Sequence, residues 1–431
     1  MTAQLQNPNG LSVPGAVVVL SLDGGGVRGY SSLLILKHLL NLVTEELLRR
    51  NVISIREHVL EPQDIFDFAV GTSTGGLIAL MLSKLGMSLD DCLDQYQMLS
   101  RQIFVKKRSL CERLLGSDIS KYSGKRLQTS IEALLRHRGY PHNMKLQDNQ
   151  HPIRMHGSVL CHERPSLGLR FFCTQDCHRS DFENDLDKNM ELRHAACATS
   201  AAPSYFKPVV VQNRRFVDGG YGQTNNPSWE AWRHYRHKHH LAQNQPMIII
   251  NLGTGTPGPE SSTTSTKRPL WTHLLPNAVV EAFGLVADLT KLATESESCA
   301  ERLAYIAESD AARLFFCRLS ADTGIDKVKL DDWRAVTRST SQPSLVESRT
   351  RVYLEDPGVV DKLGLVASRL ADVYEMRHAQ AKTVNPATVA RPDEKRLLDP
   401  ASMARGQFDL FDGSCGQTAK PERCHVPWTP I

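Results

Sequence analysis

The sequence predicts an α/β protein with three layers, a mostly parallel central sheet lying between two layers of helices. Three observations lead there. Runs such as Ala16–Leu22 (AVVVLSL) and Met247–Leu252 (MIIINL) are apolar at all but one position each, as expected of strands covered on both faces. Each of these runs ends in a glycine turn. Strand, glycine turn and apolar helix then follow one another twice within the first ninety residues, which is the pattern of a parallel sheet.

In chain order, the first strand leaves into Asp23-Gly-Gly-Gly. From Ser31 to Arg50 the apolar residues Leu33, Leu36, Leu40, Val43 and Leu47 keep helical spacing, with Ser31 or Ser32 as the cap and Arg49-Arg50 at the C-terminal end. Ile65–Val70 is the second strand, 71–76 a tight turn, and Leu77–Leu85 a buried helix stopped by Gly86. Asp90–Arg108 reads as an amphipathic helix ending in Lys106-Lys107-Arg108, and Tyr140–Arg164, rich in His and Pro, as a loop. Leu169–Thr174 is a strand, Glu191–Ala201 a helix of small residues ended by Pro203, and Phe216-Val217 a strand end leading into Asp218-Gly-Gly. Beyond the Ser/Thr/Pro loop 257–269 come helical stretches over 277–309, a strand at Arg313–Leu319 and a helix at Val359–Arg377. The expected organisation is an N-terminal extension (1–15), one large domain (16–378) and a disordered C-terminal tail (379–431) without periodicity.

The bulk properties exclude some functions. A net charge of +4 on 431 residues gives no basis for nucleic-acid binding. No apolar run reaches the roughly 18 residues that span a bilayer, and the first ten residues lack a basic leader. The expectation is a cytoplasmic protein whose membrane contact is peripheral. The ten cysteines are scattered and read as free thiols. Cys161-His162, Cys173, Cys177 and His178 are ligand-type residues without zinc spacing, so no metal site is expected.

Three motifs carry chemistry. Gly71-Thr72-Ser73-Thr74-Gly75 is a G-x-S-x-G between strand and helix. A nucleophile there projects from a strained turn, and Gly71 and Gly75 relieve the crowding around Ser73. The helix N-terminus behind it stabilises negative charge that develops in acyl transfer. Asp23-Gly24-Gly25-Gly26-Val27-Arg28-Gly29 also follows a strand. Consecutive glycines let backbone N–H groups converge on an anion, as an oxyanion hole requires, while Arg28 holds the loop or meets a phosphate. A dinucleotide loop fits less well, because no acidic residue ends a second strand about twenty residues on. Asp218-Gly219-Gly220 supplies a carboxylate beside glycines that permit close approach, and a serine hydroxyl needs such a base.

Together these motifs resemble the patatin-like phospholipase family, whose pattern is D-G-G-G-x-R-G, G-x-S-x-G and D-G-[GA] in this order. Ala198-Thr-Ser-Ala-Ala-Pro203 and Asn225-Asn226-Pro227 also resemble that family's A-T-S-A-A-P and N-N-P. The resemblance covers about Val17 to Arg377. It implies a serine carboxylic-ester hydrolase with a catalytic dyad. Ser73 is the nucleophile, Asp218 the proton acceptor, and Gly24, Gly25 and Gly26 the oxyanion hole. Arg28, Gly71, Gly75 and Gly219 support them. It implies no cofactor and no calcium for catalysis, and lipid acyl esters presented at a membrane or lipid-aggregate surface.

Three other readings compete. A conventional hydrolase would add a histidine, and the group Arg233–His240 (RHYRHKHH) is expected to be solvated surface instead. An acyltransferase would share the same acyl-enzyme, and an inactive lipid-binding protein would keep only the fold. Lys106-Lys107-Arg108 is expected to be solvated surface that meets the dipole at a helix C-terminus, with docking on an anionic lipid surface as the alternative.

Overall fold

A computed structural model describes residues 15–54, 60–109, 112–113, 120–148, 154–166, 168–175, 185–222, 224–238, 245–256, 296–338 and 342–384. Eight strands form one sheet in the order β5-β6-β3-β2-β1-β7-β8, with β4 paired to β3 as well. They are β1 (Val17–Leu22), β2 (Phe68–Thr72), β3 (His156–Arg164), β4 (Gly168–Cys173), β5 (Val209–Val211), β6 (Arg214–Asp218), β7 (Met247–Leu252) and β8 (Leu314–Leu319). β1 pairs in parallel with β2 and β7, β2 with β3, and β7 with β8. β4, β5 and β6 are the antiparallel additions.

The two faces of β1 show why its sequence is apolar at every position but Ser21. Val18, Leu20 and Leu22 enter the larger core with helix α1 (Gly29–Arg49), while Val17 and Val19 enter a second core with Ala231, Tyr235 and Leu303. Alternate residues of a strand point to opposite faces, so helices lie on both sides of the sheet. The larger core also takes α2 (Thr74–Leu82), α3 (Leu89–Phe104), α4 (Gly124–His137) and α5 (Leu192–Thr199). The opposite side is covered by α6 (Ser228–Lys238) and a helix over 296–309. Leu345–Leu354 (α7) packs on α1.

Two units separate along the chain, Met1–His378 and Ala379–Ile431. Of the second, residues 379–384 are described, and they end helix α8 (Pro357–Val384). The expected tail beyond 384, the loop 257–269, the helical stretch 277–295 and most of the N-terminal extension lie outside the described residues.

Several expectations are corrected. The segment expected to be a loop, 140–164, contains β3, whose residues Gly157–His162 are buried. Only Val159, Leu160 and Cys161 in it are apolar. It is a strand because β2, β4 and β6 hydrogen-bond it along both edges, a tertiary effect with no local signature. The second strand runs two residues later than expected, since Gly71 and Thr72 still pair with Val159 and Leu160. The helix after it starts at Thr74, not Leu77, and ends at Leu82, three residues short of the expected Leu85. Ser31 and Ser32 do not cap α1, which begins at Gly29. Their buried hydroxyls bond Thr350 Oγ1 and the Gly253 carbonyl. Finally, α3 stops at Phe104, so Lys106-Lys107-Arg108 follows the helix without belonging to it; there the Arg108 amide bonds the Lys121 carbonyl.

Candidate active site

β3 aligns the two motif ends. Residues 158–160 of β3 pair with β2 and β4, and residues 161–163 with β6 and β4. A strand has two edges, so β2 and β6 share the edge opposite β4. β2 is parallel and β6 antiparallel to β3, and they run toward each other. Thr72, the last residue of β2, sits opposite Leu160, and Asp218, the last of β6, sits opposite Cys161. The chain therefore delivers Ser73 and Asp218 to the same point from opposite directions.

Ser73 has φ 56° and ψ −125°, a left-handed conformation that costs a β-carbon residue on the order of 1 to 3 kcal/mol. What surrounds it holds it there. The Ser73 N–H donates to Thr199 Oγ1 at 2.9 Å, and the Thr199 hydroxyl donates to the Leu160 carbonyl at 2.6 Å. The turn tolerates no side chain at its flanking glycines. A Cβ on Gly71 would lie 2.2 Å from the Gly75 carbonyl oxygen, and one on Gly75 would lie 2.4 Å from that of Leu22.

Asp218 is buried and accepts the Gly220 N–H at 2.7 Å. Burial drives its carboxyl up to about 7, against the opposing pull of hydrogen bonds from the Ser73 side chain and the Gly220 amide. A carboxylate with a proton affinity near neutrality, touching a serine on a strained turn, is suited to take a proton from that serine. Neither of its partners is a histidine. His234, expected on solvated surface, is buried and stacks on Phe171 at 4.2 Å between ring centroids. His162 bonds Thr224 Oγ1, and the Thr224 hydroxyl donates to the Gly219 carbonyl. His239, His240, Cys177 and His178 lie outside the described residues. Cys161 and His162 are successive strand residues whose side chains leave opposite faces of β3.

The glycine loop lies against this pair. An added Cβ on Gly24 would reach to 3.0 Å from Ser73 Cβ. The Gly24 carbonyl accepts from Thr254 Oγ1 at 2.8 Å and from Asn225 Nδ2 at 3.2 Å. Because C=O and N–H of one peptide point opposite ways, this fixes the direction of the Gly25 N–H, which makes a long 3.3 Å contact with Thr74 Oγ1. The Gly24 N–H is engaged with the Asn225 carbonyl at 3.2 Å. The Gly26 N–H makes no hydrogen bond among the described residues. Of the three glycine amides, those of Gly25 and Gly26 are thus the less committed. Arg28 donates to the Val328 carbonyl, holding the loop.

Behind the loop sits a buried ion pair that the sequence did not disclose. Arg318 on β8 donates to Asp23 Oδ2 at 2.7 Å and to Glu297 at 2.7 Å, and Asn251 on β7 donates to Asp23 Oδ1 at 2.8 Å. Thr199, Asn251, Thr254 and Arg318 all brace the motifs; Thr199 lies in the 198–203 stretch of the family resemblance, whereas nothing local marks the role of the other three.

A half-open cavity of about 610 Å³, its solvent-exposed part included, opens at Ser73 and Gly26. Its walls include Leu77, Leu99, Ile103, Phe104, Leu127 and Phe206. Ser200 lines it, and its buried hydroxyl has no hydrogen-bond partner among the described residues. A serine beside a long apolar cleft suits an ester whose acyl part is a hydrocarbon chain.

Comparison with known proteins agrees with this chemistry. Residues 20–232 match the family model for patatin-like phospholipases. Over 244 residues the chain is 29% identical to a cGAMP-activated phospholipase of Escherichia coli, covering 55% of this chain and 62% of that protein. It is 26% identical over 256 residues to the 85/88 kDa calcium-independent phospholipase A2 of Mus musculus, covering 55% of this chain and 27% of that one. It is 25% identical over 288 residues to patatin-like protein 1 of Arabidopsis thaliana, covering 59% and 63%. The chain spans less than two thirds of the length of each of these relatives.

Proposed function

We propose that this chain, which belongs to the patatin-like phospholipase family, is a lipid acyl hydrolase working through a Ser73–Asp218 dyad. The observation that carries the reading is the buried Asp218 carboxyl, pushed up to about 7 and hydrogen-bonded to the side chain of a serine in a strained turn.

Asp218 accepts the Ser73 proton as Ser73 Oγ attacks the ester carbonyl carbon. The carbonyl oxygen becomes an anion facing the Gly25 and Gly26 amides and the N-terminal end of α2. Collapse of the tetrahedral species breaks the ester C–O bond, and the leaving alcohol takes the proton from Asp218. Asp218 then draws a proton from water, which attacks the acyl-Ser73 ester. The fatty acid leaves and Ser73 regains its proton. The acyl chain occupies the cavity between α3, α4 and the Tyr205-Phe206 turn. Among the described residues no helix is long and apolar enough to cross a membrane.

The test is hydrolysis of a chromogenic medium-chain ester and of phospholipid vesicles in excess chelator, with wild type, Ser73→Ala and Asp218→Asn side by side. The reading expects activity in wild type and its loss in both variants. Full activity in Ser73→Ala would refute it, and an inert wild type that still bound vesicles would favour a lipid-binding protein.

A further inference from the structure

We propose that the surface formed by the outer face of α3, the segment that follows it and the turn carrying Trp333 docks on an anionic lipid bilayer. The proposal rests on the acyl-hydrolase reading for its purpose, but not for its evidence or its test.

α3 has two faces in use. Leu99 and Ile103 face inward and wall the cavity. Met98, Arg101 and Val105 follow at i, i+3 and i+7 and share the outer face. Met98 is 47% and Val105 53% exposed, large apolar side chains standing in water. The Arg101 guanidinium lies 5.5 Å from the centre of the Trp333 ring, and that of Arg334 lies 5.3 Å from the same ring. Trp333 is half-buried between them. Lys106 and Lys107 stand exposed directly after the helix, and the Lys107 side chain is 60% exposed. Leu330, three residues before Trp333, is itself a wall of the cavity. The face is therefore continuous with the site.

Exposed Asp94 shares the outer face one turn before Met98, and the other carboxylates of this surface are engaged or half-buried, which leaves the cations in excess. Asp331 is buried and held by Lys121 and by the Tyr122 hydroxyl, with the exposed Lys107 ammonium 3.8 Å from the same carboxylate. Glu112 accepts the Ser109 amide. Asp332 is half-buried. Arg101, Lys106 and Arg334 have no carboxylate within ion-pair distance among the described residues. Cations alone would suit any acidic partner. Exposed Val105 and Met98 among them, with a tryptophan ring at the same level, suit an interface where charge gives way to hydrocarbon. Each Lys or Arg brought to an anionic leaflet contributes about 1 kcal/mol.

The test uses the full chain as Ser73→Ala, so binding is read without turnover. Sedimentation is measured with phosphatidylglycerol–phosphatidylcholine vesicles and with pure phosphatidylcholine vesicles. The proposal expects binding to the anionic vesicles that weakens with salt. It expects Lys106→Glu with Lys107→Glu to reduce the partition coefficient by roughly 30-fold, and more once repulsion adds. Val105→Asp should reduce binding that persists in high salt. Arg233→Glu with Arg302→Glu, on the opposite side of the sheet, should leave binding unchanged at an unchanged urea midpoint. Equal binding by the Lys106/Lys107 variant, equal loss in the control variant, or no binding to anionic vesicles would each overturn the proposal. An enzyme that hydrolyses no ester yet shows the expected pattern would defeat the hydrolase reading and leave the docking face standing.

Discussion

Asp218 should destabilise the fold at the pH where the dyad operates, and removing its charge should therefore stabilise the protein while abolishing hydrolysis. Burial holds its carboxyl at about 7 against 3.8 in the unfolded chain, so the folded protein binds that proton more tightly. Stability from this source is full below pH 3.8, declines as pH rises, and is lost above about 7. At 1.36 kcal/mol per pH unit the whole interval amounts to roughly 4 kcal/mol. The substitution Asp218→Asn keeps the shape and the acceptor for the Gly220 amide but puts there a side chain that cannot ionise. Urea unfolding of Asp218→Asn and wild type should differ by on the order of 2 to 4 kcal/mol in favour of the variant at pH 8, and by almost nothing at pH 4. A difference that does not change with pH, or a variant less stable at pH 8, would refute the argument that the carboxylate is held in an unfavourable environment.

Other consequences follow from the contacts around the dyad. Thr199→Val keeps the shape but removes the acceptor of the Ser73 N–H; leaving that amide unpaired should cost about 1 to 3 kcal/mol in urea unfolding and lower kcat more than it raises KM. Arg318→Met leaves Asp23 buried without its cation and should cost roughly 3 to 5 kcal/mol, with ester hydrolysis falling in the protein that still folds. Leu127→Trp fills part of the cavity and should move the preferred acyl chain to shorter esters, by a factor of about four in kcat/KM for each methylene excluded, read from a series of p-nitrophenyl esters.

What could be read from the sequence has a physical pattern. Ser73 and the loop Gly24–Gly26 were legible because the constraint and the group it serves are neighbours in the chain. A reactive serine on a turn needs glycines one or two residues away, and amides can converge only where side chains are missing. Strands β1 and β7 were legible because burial on both faces leaves them apolar but for Ser21 and Asn251, one residue in each. β3 was not, because its strand state comes from three neighbouring strands and not from its own polar sequence. The braces were hidden for the same reason. Arg318 meets Asp23 across 295 residues and Thr199 meets Ser73 across 126. An arginine in one strand or a threonine in one helix has nothing local to distinguish it. Thr199 and Asn225 lie inside stretches that the family resemblance had marked, and only the fold shows what each one holds. His234 misled because its helix reads as polar, whereas its ring packs against the sheet.

Ser73 as nucleophile and Asp218 as its base are open to labelling with a fluorophosphonate, read by intact mass and peptide mapping across pH 5 to 9. The expected result is a single adduct on Ser73, absent in Ser73→Ala, forming at a rate that rises through a midpoint near the Asp218 value of about 7 and loses that rise in Asp218→Asn. An adduct on another residue, or labelling of Ser73 that proceeds at the same rate and with the same pH profile in Asp218→Asn, would contradict it.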